Sequence, residues 1–267
     1  MKRLEYRDVT MRFPAANGRA TVTAIEGVSF SVADGEVVAL IGPSGCGKST
    51  LLNIGAGLYA PSSGVAFVDG ERVAGSNRHV AFMLQKDLLL PWRTIAENVA
   101  LGMEIQGETK AERVRRANDL LRGFNLADFS GHYPHQLSGG MRQRVALGRT
   151  LAVDPSVLLL DEPFSAVDAQ TRILLQRDLA QTLKRAGKTA LLITHDLLEA
   201  AILSDRVLVM SARPGRIVDE IAIEIGHRDD PLRRRQDGKI AGYMARLMDR
   251  LEIGRSPSDP QSALQPA

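Results

Sequence analysis

The sequence predicts an α/β fold with a mostly parallel sheet core, an antiparallel β subdomain ahead of it and an inserted α-helical subdomain. Three observations point there. A Gly-rich loop, Gly42-Pro43-Ser44-Gly45-Cys46-Gly47-Lys48-Ser49-Thr50, follows the apolar run Val37-Val38-Ala39-Leu40-Ile41. Short apolar runs return near 157–160, 189–193 and 205–210 with helical stretches between them, as in sheets whose strands are buried on both faces. Within 87–155, Ala111, Val114, Ala117, Leu121 and Phe124 recur three or four residues apart, the spacing of one helix face.

In chain order, residues 3–41 alternate β-like runs with turns, among them Ala33-Asp34-Gly35, and are expected to form the antiparallel region. The loop at 42–50 matches G-x-x-x-x-G-K-[ST], so Lys48 to about Gly57 is expected to be the first helix. Glycines let successive backbone N–H groups turn toward a β-phosphate, and the helix N-terminus adds partial positive charge. Lys48 is placed to neutralise β/γ-phosphate charge and Ser49 to bind Mg²⁺. A ligand-free strand-to-helix turn is the competing explanation, but it leaves the complete motif unaccounted for.

The run Val157-Leu158-Leu159-Leu160 ends in Asp161-Glu162, placing two carboxylates at the carboxyl end of a buried strand, where ligands sit in open α/β sheets. Asp161 is expected in the Mg²⁺ shell. Glu162, one residue on, faces elsewhere and can orient and deprotonate an attacking water. Before this strand, Leu137-Ser138-Gly139-Gly140-Met141-Arg142-Gln143 is a small-residue turn opening a helix through Ala152, whose N–H groups suit a second phosphate.

The order of phosphate loop, Ser-Gly-Gly signature, Asp-Glu strand and Thr194-His195-Asp196 resembles the ATP-binding subunits of ABC transporters over roughly residues 2–225. The resemblance implies a P-loop NTPase of ABC type. It further implies ATP binding through Phe13, Gly42, Pro43, Ser44, Gly45, Cys46, Gly47, Lys48, Ser49, Thr50, Gln85, Ser138, Gly139 and Gly140, with Mg²⁺ held by Ser49, Gln85 and Asp161. Phe13 looks like the aromatic that stacks on adenine, with a core-facing strand residue as the alternative. Ser165-Ala166-Val167-Asp168 resembles the loop that crosses between two ATPase subunits, and His195 the switch histidine at the γ-phosphate, so Glu162, His195 and Lys48 form the implied catalytic set. Met141 and Val167 depart from the Gln and Leu common in the family. The Ser138 hydroxyl and nearby backbone N–H groups still offer donors to phosphate, so activity is expected to survive.

The implied partners are a second copy or related subunit in a head-to-tail pair, integral membrane permease subunits and, through the complex, a periplasmic or extracellular solute-binding protein. Within Gln85-Lys86-Asp87-Leu88-Leu89-Leu90-Pro91-Trp92-Arg93-Thr94, the Leu-Leu-Pro-Trp string looks like that of importers for nitrate, sulfonate or taurine. A related group importing pyrimidine precursors of thiamine has a similar string, so the solute stays open. The string can receive a short helix from the permease or pack into the helical subdomain, and its residues can divide between the two roles.

Composition limits the rest. The 267 residues divide into an ATPase domain at 1–225 with its helical subdomain near 87–155, a helical extension at 226–253 and a Pro/Ser-rich tail at 254–267 that is expected to be disordered. Ile240, Tyr243, Met244, Leu247, Met248 and Leu251 mark an amphipathic helix docked on the core. Arg233-Arg234-Arg235, flanked by Asp229-Asp230 and Asp237, reads as a solvated mixed-charge face. No apolar stretch approaches the ~18–20 residues needed to span a bilayer and no signal core follows Met1, so a soluble protein peripheral to the cytoplasmic face of the inner membrane is expected. A net charge of +3 from 34 basic and 31 acidic residues gives little ground for a nucleic-acid partner. Cys46, as the lone cysteine, excludes an internal disulfide. The rival from another class is a soluble ABC-type ATPase acting on DNA or ribosomes, and a single phosphate loop without sustained heptads counts against it. An exporter subunit is disfavoured by the Leu-Leu-Pro-Trp string.

Overall fold

The computed structural model describes residues 1–14, 21–165 and 167–251, so Ala166 and the tail expected at 254–267 lie outside the described residues. The strands are β1 (Lys2–Pro14), β2 (Thr21–Ala33), β3 (Val37–Ile41), β4 (Ser63–Val68), β5 (Glu71–Arg72), β6 (Val80–Met83), β7 (Val157–Asp161), β8 (Thr189–Ile193), β9 (Arg206–Met210) and β10 (Ile217–Ala222). They form two sheets. One is antiparallel, in the order β2-β1-β4-β5, and the other runs β10-β9-β3-β8-β7-β6 with only β10 antiparallel, on its edge. The sequence reading does not place β4, β5, β6 or β10: β4 and β6 do carry short apolar runs, Val65–Val68 and Val80–Met83, whereas β5 is Glu71-Arg72 and the edge strand β10 is interrupted by Asp219-Glu220.

Alternation along the central strands divides the core. Val37, Ala39 and Ile41 of β3 face one apolar cluster, whereas Val38 and Leu40 face the other. The second cluster fills the space between the two sheets around α1 (Lys48–Gly55), through Leu51, Leu52 and Ile54. The first lies under α2 (Ile95–Ile105), α3 (Lys110–Gly123), α4 (Gly139–Ala152), α5 (Ala169–Arg185) and α6 (Leu197–Leu203). On α3, Ala117 and Leu121 are buried with the adjoining Phe124, while Val114 is exposed.

The segment before α2 is shaped by fully buried Asn98, whose amide donates to the carbonyls of Leu90, Arg93 and Thr94 and accepts from Leu90 N–H. Thr94 and Glu97 cap α2 reciprocally. This scaffold sinks Leu89 into the core and leaves Leu88 and Trp92 facing solvent, Trp92 at 71% exposure.

Two helices follow the second sheet, α7 (Pro231–Arg235) and α8 (Ile240–Arg250). Ile240 and Leu247 of α8 are buried, and Tyr243, Met244 and Leu251 pack beside them. Met248, read as part of the buried stripe, instead faces solvent. The solvated reading of Arg233-Arg234-Arg235 is corrected at its centre. Arg234 is only 3% exposed, and its guanidinium donates to the carbonyls of Ala201, Ile202, Ser204, Ile225 and Gly226. The end of a helix leaves carbonyls without intrahelical partners, and a cation satisfies both their hydrogen bonding and their partial negative charge.

Candidate nucleotide site

The phosphate loop spans the end of β3 and the start of α1, and its glycines answer to steric demands. Gly47 caps α1 at φ 104°, and a Cβ there would meet Ile25 Cγ2 at 2.3 Å. At Gly42 a Cβ would lie 2.9 Å from Cys46 Sγ and 3.0 Å from Met210 Cβ. No side chain caps α1 and no acidic residue occupies its first turn, so its N–H groups and dipole are open to an anion. Lys48 is 8% exposed and donates to the carbonyls of Gly42, at 2.8 Å, and Pro43, at 2.9 Å. Cys46 points inward and is buried beside the Lys48 ammonium, so it offers this site backbone rather than thiol.

A cavity of about 620 Å³ opens over this loop, a volume suited to a nucleotide. Its lining joins Phe13, Gly42, Ser44, Gly45, Gly47, Lys48, Ser49, Thr50, Glu162 and His195 with Pro14, Val22, Ala24 and Arg213. Phe13 is half-buried and meets Tyr59 edge-on at 5.9 Å, which steadies its ring in the cavity wall.

At the far end, β7 delivers its two carboxylates in different directions. Glu162 adopts a left-handed backbone, φ 46°, a strained state for a residue with a Cβ, and its N–H donates to Ile193 O at 3.0 Å. The turn separates the Glu162 side chain from that of Asp161. Glu162 Oε2 lies 3.3 Å from His195 Nδ1 and accepts from Gln85 Nε2 at 3.1 Å. Gln85 also donates to Ser165 Oγ at 3.3 Å, linking the segment before α2 to the loop before α5. Asp161 lies beside the Ser49 side chain, which draws its proton affinity down. Burial pushes the Asp161 carboxyl above its ordinary range and Glu162 adds to this, against the pull of Ser49 and Lys48.

A hydroxyl beside a carboxylate, both hard oxygen donors, fits Mg²⁺. Among the described residues no group of three or more His, Cys, Asp or Glu could hold a metal by itself, so phosphate oxygens and water have to complete such a shell. Gln85, expected with Ser49 and Asp161, is bonded instead to Glu162 and Ser165.

The structure does not bring the signature to this cavity. Ser138 caps α4, its Oγ accepting from Met141 N–H at 3.3 Å, and Gly139 faces a separate groove with Gln85, Leu88 and Val167. Gly140 is tightly placed, because a Cβ would meet Thr171 Cγ2 at 2.2 Å.

Sequence reasoning missed the residues that brace the segments around Val167 and Asp196. On α5, Arg172 donates to Val167 O at 3.3 Å and lies 3.7 Å from Asp196, tying Val167 to the residue after His195. One turn on, buried Gln176 donates to buried Glu199 at 3.0 Å. Burial pushes the Glu199 carboxyl up to about 7, against hydrogen bonds from Thr194 and Gln176. The i, i+4 spacing of Arg172 and Gln176 signals one shared helix face, but nothing local names its partners.

Among the described residues no helix is long and apolar enough to cross a membrane. The profile of the ABC transporter family matches residues 25–165. An uncharacterised ABC transporter ATP-binding protein of Methanocaldococcus jannaschii is 43% identical over 223 residues, covering 84% of this chain and 83% of that protein. The taurine import ATP-binding protein TauB of Burkholderia pseudomallei is 47% identical over 213 residues, 80% of this chain and 82% of its own length. Among solved structures, a dimeric ATP-binding cassette in a post-hydrolysis state with ADP and Pi superimposes with a TM-score of 0.74 at 31% identity, over 83% of this chain and 99% of that one.

Proposed function

Since this chain belongs to the ABC transporter family and is an ATP-binding ATPase of it, we propose that it powers import of a small solute of the nitrate, sulfonate or taurine type through a separate membrane permease. The observation that carries the proposal is one cavity uniting an uncapped helix N-terminus, Lys48 and Ser49 with Glu162–His195, with Asp161 behind Ser49. A taurine-type solute is favoured by the importer relatives and by the exposed Trp92 of the Leu-Leu-Pro-Trp string.

In the proposed mechanism Phe13 stacks on adenine, and the N–H groups of residues 45–50 with Lys48 hold the β- and γ-phosphates. Ser49 and Asp161 would hold Mg²⁺, with Gln85 as a further oxygen donor, and the ion would supply charge neutralisation to the phosphates. Glu162 then accepts a proton from the water that attacks the γ-phosphorus, as the bond to the β,γ-bridging oxygen breaks. His195, in reach of Glu162, orients the water and the γ-phosphate. Ser138 to Gly140 lie outside the Lys48 cavity, so they serve the site of a partner subunit in a head-to-tail pair. ATP stabilises the closed pair and hydrolysis removes the γ-phosphate bridge, which moves the permease between its two states. The protein then works on the cytoplasmic face of the inner membrane.

The test is membrane co-fractionation and tagged pull-down from native cells with mass spectrometry, beside uptake of labelled taurine in a strain lacking the gene. Recovery of a multi-helix permease and loss of uptake are expected. A soluble complex with nucleic acid or ribosomes overturns the transport role, and intact taurine uptake with a recovered permease moves the solute to another class.

A further inference from the structure

One wall of the nucleotide cavity comes from none of the sequence-identified elements. The loop between β9 and β10 runs through Ser211-Ala212-Arg213-Pro214-Gly215-Arg216 and is fastened to β2. Gly215 N–H donates to Ala24 O at 2.9 Å, and Glu26 N–H donates to Gly215 O at 3.0 Å. Arg216 pairs with Glu26 at 2.5 Å, while its N–H donates to Ser211 Oγ at 3.0 Å. Gly215 is buried so tightly against the phosphate loop that a Cβ would lie 2.0 Å from Cys46 O. A loop held this way has little freedom, and at its tip Arg213 Nε and one Nη both donate to Gly45 O, at 3.3 and 3.0 Å. Arg213 lines the same cavity as Lys48, Ser49, Glu162 and His195.

We propose that Arg213 is a nucleotide-contacting residue: it fixes the tip of the phosphate loop through Gly45 and presents a second cation, beside Lys48, to the polyphosphate of the bound nucleotide. The inference rests on the ATP-binding role of this cavity. A guanidinium carries five N–H donors in a fixed fork, and two of them suffice for Gly45 O, which leaves three for an anion. The need for a second cation follows from the charge of the ligand. A nucleoside triphosphate brings about four negative charges at neutral pH, still more than Lys48, the roughly half-charge of a helix N-terminus and a Mg²⁺ ion would together offset, and Asp161 and Glu162 add negative charge at the far end. Because Arg213 is exposed, its contribution is screened by salt, and its removal leaves the core untouched.

The test is equilibrium binding of ATP and of adenosine to the full chain and to Arg213→Lys, Arg213→Gln and Arg213→Glu, at low and at high ionic strength, with thermal unfolding as a check on folding. Arg213→Gln is expected to raise the Kd for ATP about three- to tenfold at low salt. Arg213→Glu is expected to raise it further, with Arg213→Lys between wild type and Gln, and the differences shrink as salt rises while adenosine affinity stays unchanged. An ATP Kd within about twofold of wild type in both the Gln and Glu variants overturns the inference, as does an equal loss for adenosine and ATP, which would mark stiffening of the loop alone. A wild-type chain that binds no ATP overturns the assignment of the cavity, a failure separate from that of Arg213.

Discussion

Arg234 tests whether the C-terminal extension belongs to the folded unit of the ATPase. Its guanidinium makes three short donations, to Ser204 O at 2.6 Å, Gly226 O at 3.0 Å and Ile225 O, and two longer ones to Ala201 O and Ile202 O. Arg234→Leu keeps apolar bulk but leaves those carbonyls buried without a donor. Hydrogen bonds from a charged group contribute about 1.5–3 kcal/mol each. Burial of the guanidinium, which pushes its proton affinity down, offsets part of the gross sum. A net loss of about 3 kcal/mol is expected, or roughly 6–12 °C in Tm for a chain of this size. Chemical denaturation of wild type and Arg234→Leu, followed by circular dichroism, measures it. Arg233→Leu, an exposed neighbour, is the control and should shift stability by no more than about 0.5 kcal/mol. A loss below about 1 kcal/mol for Arg234→Leu would refute the reasoning, since the five contacts would then be no better than water.

Glu162→Gln keeps the bond from Gln85 within reach but cannot take a proton, so phosphate release should fall about 10²–10⁴-fold with ATP still bound, and normal turnover would remove Glu162 from its role. Trp92→Ala should leave Tm and ATP affinity unchanged, because the ring is exposed, and should abolish permease capture in a pull-down; lost ATP binding would instead tie the residue to the nucleotide site. Glu199 should make stability depend on pH. Its carboxyl titrates at about 7 when folded, against 4.5 as its ordinary value, so the folded chain holds a proton between these values that the unfolded chain has released. The associated stability is complete below pH about 4.5 and declines until pH about 7, by about 3 kcal/mol at most. Glu199→Gln, permanently neutral, should lose this slope, and parallel pH–stability curves for the two proteins would contradict it.

Much of the site was legible because its signals are local. The phosphate loop declares itself through glycines that a short stretch of backbone requires, as Gly47 at φ 104° illustrates. Asp161 and Glu162 were legible because a continuous apolar run can only deliver its next polar residues to a strand end. The divergence of their side chains depended on more, since the left-handed turn at Glu162 is held by Ile193 from a neighbouring strand. The string at 88–92 was ambiguous for a similar reason: Leu89 and Trp92 are both apolar, and only the scaffold built by Asn98 sends one inward and the other to solvent.

The sequence by itself determined the α/β class, the ATPase chemistry and the family, because periodicity, glycine stereochemistry and motif order are properties of neighbouring residues. The tertiary structure alone decided the partners of Arg234, Gln176, Glu199 and Arg213. A side chain's charge or amide is visible in sequence, but whether it is solvated or buried depends on which carbonyls and carboxylates distant segments leave unsatisfied beside it. Arg233 and Arg234 are the same residue type in the same run; one faces water, and the other closes the end of α6.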